Sequence, residues 1–190
     1  MFDPRKLMAK EYAVLHGDGS GFDFQKTLTR EPTAMNWADP YRPSDTVPPH
    51  VKAAVIESLN SMAAHYTFPT GDFALCDAIA ERVEKKNGVK INPRTELTIS
   101  NGSDSAFAFV MRPFLVPGED NEVMMPVPSY AHNFAVPPMI GGRSVMVPTR
   151  QEDGYDLDID EFEKRVTPKT KMVVLTNPNN PTGTVYTRST

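Results

Sequence analysis

Apolar positions change their rhythm along the chain. Over residues 1–46 they carry little periodicity, over 48–64 and 72–86 they recur at helical steps, and beyond Pro93 short β-branched runs alternate with helical stretches. Val51, Val55, Leu59 and Met62 fall on one stripe of a helix expected over 48–64, with Pro48 and Pro49 suited to its first turn. Leu75, Cys76, Ile79 and Val83 form the apolar face of a second helix over 72–86. Lys85 and Lys86 complement its C-terminal dipole, and Gly88 fits just past its end. Strands are expected over 96–100, 122–125, 143–147 and 171–176, with helices over 103–112, 130–139 and 158–166 between them. Pro137 and Pro138 end the second of these helices early, and Asp158 with Glu161 three residues on caps the third. This alternation predicts an α/β fold, three-layer α/β/α on a mostly parallel sheet that begins near residue 96. Residues 1–46 read as an N-terminal arm with a short helix over 4–15, a turn-rich loop at 16–21 and breaks at Pro32, Pro40 and Pro43. Residues 47–190 read as the incomplete main domain. Few residues follow the last strand and none makes a covering helix, so the chain is expected to be the front part of a larger protein, exposing a sheet edge and apolar surface.

Composition narrows the class. The 190 residues are 39% apolar, enough for one sizeable core, and no apolar run approaches the ~18 residues of a spanning helix. Net charge is −4, without the basic excess of a nucleic-acid-binding domain. The single cysteine, Cys76, excludes an intrachain disulfide framework. With no apolar leader behind Met1, the expected compartment is the reducing cytoplasm. The 18 prolines divide the chain into short elements. The four histidines, at 16, 50, 65 and 132, have no ligand spacing with Cys76 or one another, and Asp156-Leu157-Asp158-Ile159-Asp160 lacks the Gly and the final Glu of a calcium loop, so no metal is expected.

Three segments carry candidate chemistry, each with a plainer alternative. Asn177-Pro178-Asn179-Asn180-Pro181-Thr182-Gly183 follows a strand directly. In open α/β sheets ligands sit outside the carboxyl ends of strands, where a proline-stiffened loop can aim an asparagine amide; the alternative is a Pro-rich turn. Ser100-Asn101-Gly102-Ser103-Asp104-Ser105 joins a strand to a helix, so free backbone N–H groups at the helix start can bind an anion, or Ser103 can simply cap the helix. Pro128-Ser129-Tyr130 puts an aromatic at a strand end, able to stack on a flat ring or to be ordinary packing.

Taken in this order, with the tyrosine connector of residues 66–71, the motifs resemble the class I/II aminotransferases, enzymes of fold type I that use pyridoxal 5'-phosphate (PLP). The resemblance covers roughly residues 30–188. It implies that this is the N-terminal part of the large domain of such a transferase, moving an amino group between an amino acid and a 2-oxo acid. By resemblance, Asn180 bonds the cofactor's phenolic oxygen and Tyr130 stacks on its ring. Gly102, Ser103 and Asp104 cradle its phosphate, and Tyr66 reaches the phosphate of a neighbouring subunit, which implies a homodimer. The stretch 36–40 resembles the family's substrate-side loop, where Ala38 stands in place of a frequent Gly.

The family's Schiff-base lysine, the aspartate that pairs with the ring nitrogen and the arginine that clamps the substrate carboxylate all lie beyond the Asn-Pro-Thr-Gly motif. No lysine of this chain has the family's serine-rich context. The chain by itself is therefore expected to hold the front half of the site and to lack its nucleophile. Two other readings stand beside this one: an inactive fragment or split-gene half serving as a binding or dimerisation module, and a PLP-dependent lyase, decarboxylase or synthase on the same fold.

Overall fold

The computed structural model describes residues 47–61 and 65–188. The arm at 1–46, with Ala38, lies outside them. The chain divides into two compact units between Ile99 and Ser100.

The first unit holds helices α1 (Pro49–Asn60) and α2 (Phe73–Asn87). α1 starts after Pro48 as expected, and Val51, Val55 and Leu59 of its stripe are all exposed; Met62 and the expected end of the helix at 62–64 lie outside the described residues. α2 follows its sequence signals. The Asp72 carboxylate accepts from the Leu75 N–H at 3.0 Å, Cys76 is fully buried, and Gly88 ends the helix in the left-handed conformation at φ 68°. Phe68 stacks on Phe73 with ring centroids 4.2 Å apart. The Arg94 guanidinium lies 4.3 Å from the Phe73 centroid and bonds Asp77 at 2.8 Å. Gly71, at φ 118°, backs onto Ile99, whose Cγ1 would lie 2.4 Å from any added Cβ. Residues 96–100, expected as the first strand, are no strand. The Ile99 N–H goes to the Thr70 carbonyl at 2.9 Å, so the segment pairs with the turn beside it, and the sheet begins at Glu122 rather than near 96.

The second unit carries α3 (Ser103–Met111) and a 3₁₀ turn (Arg112–Phe114). Then come β1 (Glu122–Val127), α4 (Ala131–Met139), β2 (Arg143–Pro148), a second 3₁₀ turn (Gln151–Asp153), α5 (Ile159–Glu163) and β3 (Thr170–Val173). The three strands form a parallel sheet in the order β2-β1-β3. β1 is central and buried on both faces, which is why its sequence is apolar without alternation. Val123 and Met125 face α3 and α4, packing with Met111, Leu115 and Val136. Met124 faces the other way, onto Val147, Phe162 and Leu157. Helices thus cover both faces, and the three-layer α/β/α arrangement holds.

Two local deviations have physical causes. α4 runs through Pro137 and Pro138 to Met139 instead of stopping before them. Pro138 has no N–H for the Phe134 carbonyl, and the Ser144 hydroxyl on β2 supplies the missing donor at 2.7 Å. α5 is shorter than the expected 158–166, although Asp158 caps it by accepting from the Glu161 N–H at 3.2 Å. The acidic run of 156–160 is therefore a helix start.

At the entry end of the sheet, the buried Glu122 carboxylate accepts from Thr167 Oγ1 (2.6 Å) and Thr170 Oγ1 (3.2 Å) and pairs with Arg143. A one-residue irregularity in the β1–β3 pairing lets Glu122 meet Thr170 while Val123 meets Met172. On the α5 face an open hollow of about 550 Å³ is lined by Leu157, Phe162, Val173, Leu175 and Tyr186. Burial, with Asp156 nearby, raises the pKa of the Tyr186 hydroxyl above its usual value. No helix among the described residues is long and apolar enough to cross a membrane.

Candidate functional site

In a parallel sheet the carboxyl ends of all strands share one edge, so the loops after β1 and β3 leave side by side. The loop after β1 carries Pro128-Ser129-Tyr130, and the loop after β3 carries 177–183. Two buried asparagines tie these exits together. Asn133, near the start of α4, donates from Nδ2 to Ser129 Oγ at 2.8 Å and to Thr176 Oγ1 at 2.9 Å. Asn179 donates from Nδ2 to the Pro128 carbonyl at 3.1 Å and to Thr182 Oγ1 at 2.8 Å. Sequence reasoning misses both. A polar residue in a loop or short helix carries no periodic signal of burial; the one available sign for Asn133 is its place one helical turn after Ser129.

The start of α3 joins this cluster through α4, against which it packs. Gly102 takes φ 84° and ψ 171°, a region open in practice to glycine alone, and no atom lies within 4 Å of where a Cβ would stand. The first helical bond runs from the Ala106 N–H to the Gly102 carbonyl, so the N–H groups of Ser103, Asp104 and Ser105 have no acceptor within the helix. The Asp104 carboxylate turns to His132, with 3.6 Å between Oδ2 and Nδ1. That distance is too long for a hydrogen bond. The His132 ring in turn lies 5.0 Å from the half-exposed Tyr130 ring. His132, which no sequence motif marks, thus bridges the α3 start and Tyr130.

Asn180 is exposed beside the buried Asn179, with Pro181 fixing the backbone on its far side. The Asn177 side-chain carbonyl oxygen accepts from the Tyr186 N–H at 3.2 Å, and the Gly183 N–H donates to the Asn179 carbonyl at 2.8 Å, which closes the loop on itself. Gly102, Ser103, Asp104, Tyr130 and Asn180 therefore lie on neighbouring loops cross-linked by side chains. Tyr66 belongs to the first unit and is fully exposed. Lys169 pairs with Asp120 at 3.1 Å before β3, and Lys171 lies in the first half of that strand; both are at the end of the sheet away from these loops.

The start of α3 fits the anionic end of a flat, polar cofactor. Among the described residues, the buried side-chain nitrogen and oxygen atoms without a hydrogen-bond partner are His132 Nδ1 and Asn179 Oδ1. The space over Gly102 is open above N–H groups that lack acceptors within the helix.

Comparison with known proteins identifies a family. The family model for aminotransferase class I and II matches residues 35–190. Aromatic-amino-acid aminotransferase 2 of Thermococcus litoralis is 36% identical over 146 residues, 77% of this chain and 37% of that protein. The aspartate aminotransferase of Pyrococcus abyssi is 36% identical over 143 residues, 75% of this chain and 36% of that protein. The crystal structure of an aromatic aminotransferase from Pyrococcus horikoshii superposes with a TM-score of 0.70 at 37% identity, covering 75% of this chain and 38% of that one. The chain spans little more than a third of the length of the curated relatives it matches.

Proposed function

The chain belongs to the class I and II aminotransferase family, and from that premise we propose that its strand-end loops form the front half of a PLP site serving amino-group transfer between an amino acid and a 2-oxo acid. The observation that carries the reading is that the 128–130 and 177–183 loops leave one edge of the sheet joined by the Asn133 and Asn179 amides, with the α3 start packed on α4 beside them.

In this reading the backbone N–H groups of Ser103, Asp104 and Ser105 bind the dianionic phosphate at the positive end of α3. Gly102 admits it because no side chain occupies that space. Tyr130 offers its ring face to the pyridine ring, and the Asn180 amide donates to the phenolic oxygen. The Asp104 carboxylate stands beside His132, with 3.6 Å between Oδ2 and Nδ1. The cofactor, when bound, supplies the electron sink for chemistry at the amino acid's α-carbon. Tyr66, exposed on its connector, serves the site of a second copy, so the working unit is a homodimer. Ala38 belongs to the substrate side.

Equilibrium dialysis of PLP against the chain and its Asn180→Ala variant tests the reading. Loss of one hydrogen bond to a charged oxygen, about 1.5 kcal/mol or more, weakens binding roughly tenfold. Equal binding by both proteins, or none by either, would refute it. Amino-donor and 2-oxo-acid panels applied to a longer protein containing this chain separate transfer from lyase or decarboxylase chemistry, since only transfer yields a new oxo acid and a new amino acid in equal amounts.

A further inference from the structure

Asn179 is 5% exposed while its neighbours Pro178, Asn180 and Pro181 are exposed, so the loop is folded around this one side chain. Its backbone N–H donates to the Thr184 carbonyl at 2.8 Å and its carbonyl accepts from the Gly183 N–H at 2.8 Å. Its side-chain nitrogen commits both protons, one to Thr182 Oγ1 and one across the exits to the Pro128 carbonyl. The amide can point only this way round, because a carbonyl oxygen turned to Pro128 would face another acceptor. The link continues: Thr182 Oγ1 donates to Thr184 Oγ1 at 3.0 Å, and Thr184 Oγ1 donates to the Gly154 carbonyl at 2.9 Å, beyond β2. All three strand exits are thereby joined through one residue.

The arrangement leaves Asn179 Oδ1 buried without a hydrogen-bond partner. The two Nδ2–H donors act where it matters for the cofactor reading. Pro128 lies two residues before Tyr130, and Asn179 immediately precedes Asn180. We propose that Asn179 is a positioning residue: its bridge to Pro128 sets Asn180 and Tyr130 at a fixed separation, so that the amide and the ring address one bound molecule together. What the pair holds rests on the PLP reading; the bridge itself rests on the hydrogen bonds alone.

The experiment keeps these two apart. In chain labelled with ¹⁵N and with ring-¹³C tyrosine, Asn179→Ala should shift the Tyr130 ring signals through the Pro128 backbone and leave those of Tyr66 in place. Exchange of the Gly183 amide should accelerate about tenfold or more relative to the Val174 amide, which is held by the Met124 carbonyl at 2.8 Å. Asn179→Asp, which keeps the shape and loses both donors, should behave like Asn179→Ala. Thr182→Val should have a smaller effect, and Thr182→Ser, which keeps the hydroxyl, none; this pair tests the bridge even where an Asn179 variant fails to fold. PLP affinity should fall about tenfold in Asn179→Ala and stay at the parent value in Thr182→Ser. Unchanged Tyr130 signals and Gly183 exchange in a folded Asn179→Ala protein would overturn the bridge, as would equal effects of Thr182→Val and Thr182→Ser. Parent-like PLP affinity with displaced Tyr130 signals would overturn the positioning role. Absence of PLP binding by every protein, with the spectral effects present, would overturn the cofactor reading and uphold the bridge.

Discussion

Glu122 offers a test of how the sheet is anchored. Its carboxylate is 1% exposed at the entry end of the central strand, and it accepts from Thr167, Thr170 and Arg143. The Thr167 hydroxyl, then Arg143 and Thr170, hold its pKa below the usual 4.5 against the opposing effect of burial. Glu122→Gln keeps the shape and one acceptor oxygen and removes the charge. With its remaining oxygen toward Thr167 and Thr170 the amide keeps both threonine bonds as neutral ones, and since a hydrogen bond to a charged acceptor contributes about 1.5–3 kcal/mol against about 1 for a neutral one, the two together lose about 1.5–3 kcal/mol. The Arg143 side chain is 61% exposed, so water re-solvates its charge and its loss adds little. The expected destabilisation at neutral pH is therefore about 1.5–3 kcal/mol. The sign with pH follows from the lowered pKa. The charge contributes in full above about 4.5, the unfolded value, and its contribution disappears as pH falls through the folded value. Urea unfolding of both proteins from neutral pH down to about pH 3 should show two stabilities that converge in acid. A gap that stays constant across that range would mean that shape rather than charge matters at residue 122, and would refute the reasoning.

Three further outcomes are expected. Gly102→Ala meets no atom but must hold a glycine-only conformation, so it should cost about 1–3 kcal/mol in denaturant unfolding, and a neutral result would contradict the backbone geometry there. Ser144→Ala leaves the Phe134 carbonyl without its donor beside Pro138 and should cost about 1 kcal/mol; Ser144→Thr, which keeps the hydroxyl, should cost less, and equal losses would count against the repair of α4 by β2. Lys164, then Arg165, pull the Glu161 carboxyl down to about 2, so its NMR titration midpoint should lie there and rise toward 4.5 in Lys164→Ala; an unmoved midpoint would remove Lys164 as the cause.

The elements governed by local chemistry are legible in the sequence. Asp72 and Gly88 bound α2 as cap residues do, and the apolar runs of β1, β2 and β3 announce a sheet covered on both faces. What escapes depends on partners distant in the chain. Residues 96–100 have a strand's composition, yet a strand needs an adjacent edge, and Ile99 finds the Thr70 carbonyl instead. Pro137 and Pro138 forecast an early stop because the rescuing hydroxyl sits on the next strand. The α1 stripe shows the converse, since a helical period states which side is apolar and not whether anything covers it. At the candidate site, Gly102, Tyr130 and Asn180 stand out through motif and position. The residues that hold them in place, Asn133, Asn179 and His132, emerge only from the three-dimensional arrangement.

Met124 and Met125 are neighbours in the chain, yet their side chains enter separate cores on opposite sides of the β1 backbone. The sheet therefore works as a partition. Repacking around Met124, toward α5, and around Met125, toward α3 and α4, share no contacting side chains, so their energetic effects should add although the residues are adjacent. Substitutions can then accumulate in the α5 compartment while the layer bearing the phosphate-cradle helix keeps its fit, and the two compartments can diverge at different rates.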